Sequence, residues 1–259
     1  MKQLAIYDWR DTENIYNPRF CYEYFLNLQK TIVSLRLNQE CGDILILTTH
    51  PPTITLGAHS LREQLIHIRA IPLCITAATL TIPDEELLKS ARSYLQRFYN
   101  INLVKTNRGG SVWYHDHGVL QLYLIMEVHA FGVSDIIYPL EEALLRTLNT
   151  IGIPAIRADQ SVRRADKSFL GIWVHKKKIA AIGMRVQSGG GRFVSMFGAS
   201  LNINPDQSAC NLIDPCGIPN CRMTSVAAEL NNDYSVNDVR LTSLLYEHIS
   251  QVFDVKIIR

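Results

Sequence analysis

Gly171-Ile172-Trp173-Val174, Ile179-Ala180-Ala181-Ile182-Gly183-Met184-Arg185-Val186 and Phe193-Val194-Ser195-Met196-Phe197-Gly198-Ala199-Ser200-Leu201 are three short apolar runs. They are set apart by His175-Lys176-Lys177-Lys178 and by a turn at Gly189-Gly190-Gly191. Short apolar runs bounded by charged and glycine-rich turns predict strands. Working outward, extended segments are also expected at 43–49, 53–57, 101–106 and 119–126. Helical spacing appears at Cys21, Tyr24, Phe25, Leu28, Ile32 and Leu35, at Leu87, Ala91, Leu95 and Phe98, and at Ile137, Leu140, Leu144, Leu148 and Ile151. A last helix is expected over about 238–253. Strands gather in mid-chain and helices flank them without strict alternation, which predicts an α+β fold, a mixed β-sheet flanked by helices, rather than a doubly wound sheet.

The chain has 259 residues, 47% of them hydrophobic, enough for one sizeable core, and a single domain over 1–259 is expected. Lys and Arg number 26 against 24 Asp and Glu, a formal charge of +2, so no field favours a polyanion and no nucleic acid partner is expected. No apolar stretch approaches the roughly 20 residues that cross a bilayer. The N-terminus meets Asp8 before any signal-peptide core forms, which points to the cytoplasm and away from a membrane. Six cysteines, at 21, 41, 74, 210, 216 and 221, show no Cys-x-x-Cys pairing. No zinc site or other metal is expected, and five of the thiols read as small buried hydrophobes.

Three segments carry chemical potential. Arg108-Gly109-Gly110-Ser111-Val112-Trp113-Tyr114-His115 places two glycines between strand-like runs. That pattern reads either as a hairpin turn or as bare backbone that a ligand can approach, with Arg108 and His115 as polar contacts. In Lys178-Ile179-Ala180-Ala181-Ile182-Gly183 the small residues leave space beside Lys178, and an amine in a partly apolar cleft gives up its proton more readily and becomes usable as a base or shuttle. Lys176 and Lys177 read as a solvated turn. In Asp214-Pro215-Cys216-Gly217-Ile218-Pro219 a thiol stands in a stiff turn, as a nucleophile does when displayed beside free backbone donors.

In order and spacing these segments resemble the lipoyl(octanoyl) transferases. His50-Pro51-Pro52-Thr53-Ile54-Thr55-Leu56-Gly57, the Arg108–His115 stretch, Lys178–Gly183 and Pro215-Cys216-Gly217 carry the resemblance, which covers roughly residues 40–230. It implies a catalytic domain similar to the biotin and lipoate protein ligases. It also implies a Cys216–Lys178 dyad, and a substrate site lined by Arg108, Gly109, Gly110, Ser111, Val112, Trp113, Tyr114, His115, Ala181, Ile182, Gly183, Phe197, Gly198 and Ala199. The implied reaction moves an octanoyl group from octanoyl-acyl carrier protein through a cysteine thioester, without a cofactor, to a lysine of a lipoyl domain. Acceptors would be the 2-oxoacid dehydrogenase subunits or the glycine cleavage H protein. An opposite charge favours the thiolate, and backbone N–H groups must hold the oxyanion. Arg108 or Arg185 would guide the acidic carrier. An ATP-dependent lipoate-protein ligase, which needs no nucleophilic thiol, and an amidotransferase working between lipoyl domains are the alternatives. The chain departs from the family pattern at Asp116-His117-Gly118-Val119, which would alter the pocket mouth. It departs again at Phe197, where the family has histidine, and in a longer segment at 65–87.

Overall fold

The computed structural model describes residues 2–10, 21–72, 82–129, 132–231 and 238–258. Its strands are β1 (Lys2–Asp8), β2 (Asp43–Thr48), β3 (Thr53–Leu56), β4 (Asn102–Lys105), β5 (Trp113–His115), β6 (Val119–Ile125), β7 (Glu127–Val128), β8 (Ile156–Arg157), β9 (Gly171–Val174), β10 (Lys177–Gly189), β11 (Arg192–Asn202) and β12 (Val255–Ile258). The long helices are Tyr22–Leu37, Asp84–Tyr99, Ser134–Thr150 and Asp238–Phe253. All four lie where the apolar spacing places them.

Nine described strands form one mixed sheet in the order β12-β1-β2-β6-β11-β10-β9-β8, with β7 also on β11. The pairs β12–β1 and β1–β2 are parallel, and the remaining pairs are antiparallel. The α+β expectation therefore holds. Every residue of β6 is buried because both faces of the sheet are covered. By strand alternation, Leu120, Leu122 and Leu124 face the cluster that holds Leu140, Leu144, Leu245 and Ile249 of helices Ser134–Thr150 and Asp238–Phe253. Tyr123 and Ile125 face Phe25 and Val33 of helix Tyr22–Leu37.

A second, three-stranded sheet runs β4-β3-β5 and packs on Leu87, Ala91 and Leu95 of helix Asp84–Tyr99. Because β4 joins β3 in parallel and β5 joins its other edge, the Arg108-Gly109-Gly110 linker cannot be a hairpin and must cross over. It crosses β10. The Gly109 N–H donates to the Met184 carbonyl at 3.0 Å, and a Cβ on Gly183 would lie 2.8 Å from the Gly109 oxygen. Two backbones meet here at a distance only glycine allows. The Gly189-Gly190-Gly191 turn does form a hairpin, with Gly189 opposite Arg192.

This crossing generates a test. Gly183→Ala should lower stability by about 1–3 kcal/mol through overpacking against backbone, measured by urea denaturation; an unchanged midpoint would show that the linker does not depend on this contact.

Candidate active site

The bonds that assemble the site are mostly main-chain bonds. β10 is irregular between Lys178 and Ala180. Its first residues also pair with the chain that follows the cysteine turn: the Lys178 N–H donates to the Arg222 carbonyl at 2.8 Å, and the Thr224 N–H donates to the Lys178 carbonyl at 3.0 Å. On its other side the turn is tied down where the Cys216 N–H donates to the Val112 carbonyl at 2.8 Å and the Asp214 N–H to the His67 carbonyl at 2.7 Å. Residues 178 and 216, far apart in sequence, are thereby brought together.

Lys178 is completely buried. Its Nζ donates to Cys216 Sγ at 3.1 Å and to the Ser168 carbonyl at 2.6 Å, and it stands 5.1 Å from the centroid of the Trp173 ring. A buried ammonium needs such partners, since removing its water without replacement is very costly. Gly171, at φ 122°, lets β9 lie close on β10, since a Cβ there would run into the Ala180 carbonyl oxygen, and it also leaves room for the lysine, whose Cε would be 3.1 Å away. The fully buried Glu141 holds this glycine by accepting its N–H at 2.8 Å. Cys216 has φ 59° and ψ 14°, a left-handed conformation that a residue with a side chain keeps only under constraint, at about 1–3 kcal/mol. The conformation presents a partly exposed sulfur to the lysine.

The sulfur opens onto a slot between the two sheets, about 420 Å³ including its mouth. Of the residues expected at a substrate site, Arg108, Gly110, Trp113, His115, Ala181, Ile182, Gly183, Phe197, Gly198 and Ala199 line it. Gly109 is engaged on Met184. Ser111 lies over Gly217. Val112 and Tyr114 pack instead in the core around Ile54, Leu95 and Leu103, as expected where alternate residues of a strand face opposite sides.

Tyr22, Gln121, Tyr123 and Ser200 also line the slot and were not anticipated. Gln121 and Tyr123 alternate with leucines in β6, a signal legible in the sequence; Tyr22 comes from a distant helix and carries none. Several polar groups of the inner wall are bonded within the protein. His50 Nε2 meets the Tyr123 hydroxyl at 2.6 Å, His115 Nε2 meets the Thr55 hydroxyl at 3.0 Å, and Ser200 Oγ donates to Gln121 Oε1 at 2.7 Å. Burial, reinforced by the nearby His50 and Arg108, pushes His115 well below the usual histidine range, so its ring is neutral.

Several expectations are corrected. Arg108 is buried and donates to the Thr55 carbonyl, the Thr55 hydroxyl and the Gly109 carbonyl, so it braces the linker and does not steer a carrier. The Cys216 and Gly217 N–H groups are already engaged, the second on the Asp214 carbonyl at 2.9 Å, so neither is a free oxyanion donor. Asp116 does not line the slot. The buried Asp116 carboxylate accepts the N–H groups of Gly118 and Asp206, each at 2.8 Å, and closes a turn. Phe197 does line the slot, at φ 69°, with its N–H held by Gln29 Oε1 at 2.9 Å. Of the five described cysteines, all free, only Cys210 is fully buried. Cys74 and residues 73–81 of the longer 65–87 segment lie outside the described residues.

The lipoyl protein ligase A/B catalytic domain family model matches residues 21–246. An octanoyltransferase of Chloroflexus aggregans is 31% identical over 233 residues, covering 88% of this chain and 89% of the relative. One from Roseiflexus sp. is 30% identical over 239 residues, covering 91% and 84%. Among solved structures, lipoate-protein ligase A bound with ATP superposes with a TM-score of 0.60 at 14% identity, covering all of this chain and 89% of that one. The bipartite lipoate protein ligase of Thermoplasma acidophilum gives 0.60 at 12% identity, covering 100% and 86%. These two likenesses concern the fold.

Burial pushes the Cys210 thiol up to about 12 and the Cys221 thiol up to about 11. Both stay protonated near neutral pH, whereas Cys216 faces an ammonium. Iodoacetamide at pH 7.5, followed by peptide mass spectrometry, should label Cys216 well before Cys210 and Cys221. Lys178→Ala should slow labelling of Cys216 by about tenfold or more, the usual effect of removing an opposite charge at contact range. Equal labelling of the three thiols, or no slowing in the variant, would contradict the electrostatic reading.

Proposed function

The chain belongs to the lipoyl protein ligase A/B catalytic-domain family, within it to the octanoyltransferases, and from that premise we propose that it carries an octanoyl group from acyl carrier protein through a thioester on Cys216 to a lysine of a lipoyl domain. The acceptors are the lipoyl domains of 2-oxoacid dehydrogenase subunits or the glycine cleavage H protein. The observation that carries this reading is the 3.1 Å contact between Lys178 Nζ and Cys216 Sγ, with Cys216 lining the slot between the sheets.

In the first half-reaction the Cys216 thiolate attacks the thioester carbonyl of the carrier-bound octanoyl group. The carbon–sulfur bond to the carrier breaks, and the Lys178 ammonium protonates the departing thiolate. One thioester replaces another at little change in free energy, so the step needs no nucleotide. Lys178, now neutral, accepts a proton as the acceptor amine attacks the acyl-enzyme. The Cys216–carbon bond breaks and the thiolate–ammonium pair is restored. The amide is more stable than the thioester, which drives the second step. The slot between the sheets holds the acyl tail against Ala181, Ile182 and Phe197. Free thiols at all five described cysteines accord with a cytoplasmic enzyme.

Incubation with octanoyl-acyl carrier protein, without ATP, should add one octanoyl mass to the wild-type chain and none to Cys216→Ser, read by intact-mass spectrometry. Transfer to a lipoyl domain should fall by at least about 10³-fold in Cys216→Ser, as for removal of a covalent nucleophile. An absolute requirement for ATP would assign the chain to the ligases instead.

A further inference from the structure

The acceptor poses a proton problem that the dyad alone does not solve. A free lysine side chain, with an ordinary pKa near 10.4, arrives as an ammonium and must lose two protons to become an amide nitrogen. Lys178 takes up only one, the proton it gave to the carrier thiol, and Cys216 leaves as a thiolate that takes up none. A second proton acceptor is required near the cysteine turn.

The structure places one there. His67 follows the short helix Leu61–Leu65 and lies beside the cysteine turn: a Cβ on Gly217 would lie 3.3 Å from both Cδ2 and Nε2 of the His67 ring. The neighbouring chain segments are bonded together, with the His67 carbonyl accepting the Asp214 N–H at 2.7 Å and Ile68 bridged to Ile213. His67 Nδ1 faces Asp214 Oδ2 at 3.6 Å. Arg69 engages the other carboxylate oxygen through Nε at 3.0 Å and also through Nη2. A carboxylate facing Nδ1 favours the tautomer with its proton on Nδ1 and its lone pair on Nε2, the nitrogen that lies over Gly217. The ring is 22% exposed, so a proton it accepts can pass to water.

We propose that His67, oriented by Asp214, is the base that removes the first proton from the acceptor lysine's ammonium during discharge of the acyl-enzyme. The inference rests on the thioester reading above. The balance is one octanoyl thioester plus one lysine ammonium giving one amide, one carrier thiol and one proton, which leaves to solvent from His67. The first half-reaction uses the thiolate and Lys178 only, so it has no need of His67.

The test separates the two halves in His67→Gln and Asp214→Asn, with the wild-type chain as reference. Acyl-enzyme formation from octanoyl-acyl carrier protein should keep its wild-type rate, while discharge to lipoyl-domain lysine falls about 10²-fold, the lower range for loss of a general base. Hydroxylamine, already unprotonated at neutral pH, needs no such base, so it should discharge the acyl-enzymes of wild type and both variants at equal rates. Discharge to lysine at the wild-type rate in either variant overturns the inference. So does an equal slowing with hydroxylamine, which would mark His67 as merely structural. A wild-type chain that takes up no octanoyl group overturns the thioester reading and this inference with it.

Discussion

A lysine ammonium with no exposure to water must find its partners inside the protein, and much of this molecule is arranged to supply them. Ser168 offers a carbonyl, Trp173 a ring face, and Cys216 a sulfur. None of these contacts is strong when it competes with water. In a dry site each is worth more, and together they replace the water the amine has lost. The absence of a side chain at Gly171 lets β9 pack on the Ala180 carbonyl and leaves space for the lysine stem, and the bond from its N–H to the buried Glu141 anchors the strand end.

The sulfur is held with similar economy. Its turn is bonded on one flank to Val112, which leads into β5 of the small sheet, and on the other to Lys178 of β10 through Arg222 and Thr224. The turn therefore belongs to both sheets, and its cysteine lines the slot between them. The glycines at 109 and 183 set how closely the linker can lie on β10 and so how narrow the slot is. Arg108, buried among backbone and hydroxyl acceptors, keeps that linker in register with β3. A residue that reads in sequence as a docking charge is in the fold a brace.

Much of this was legible beforehand because it depends on local periodicity and on short, stiff motifs. The helical spacing of Leu87, Ala91 and Leu95 and the apolar runs of β9, β10 and β11 marked their elements, since burying one face imposes a repeat on the chain. Proline and glycine around Cys216 marked a turn that displays a side chain. Other features were illegible. Tyr22 enters the slot from a helix nearly a hundred residues before its neighbours at 113 and 115, and His67 stands in a segment with no motif of its own. Asp116 looked like a change at the pocket mouth, yet its two N–H donors, Gly118 and Asp206, show that it closes a turn.

By itself the sequence determined the long helices, most of the strands and the α+β class, consequences of which side chains prefer water and which turns the backbone permits; the pairing of the lysine motif with the cysteine motif was implied by the family resemblance. Tertiary structure alone decided that the β4–β5 linker crosses instead of folding back, that the amides of the cysteine turn are occupied, and that an imidazole lies beside it. Those outcomes depend on hydrogen bonds between segments distant in the chain. Such bonds follow the geometry of sheet pairing, to which no local pattern of residues corresponds.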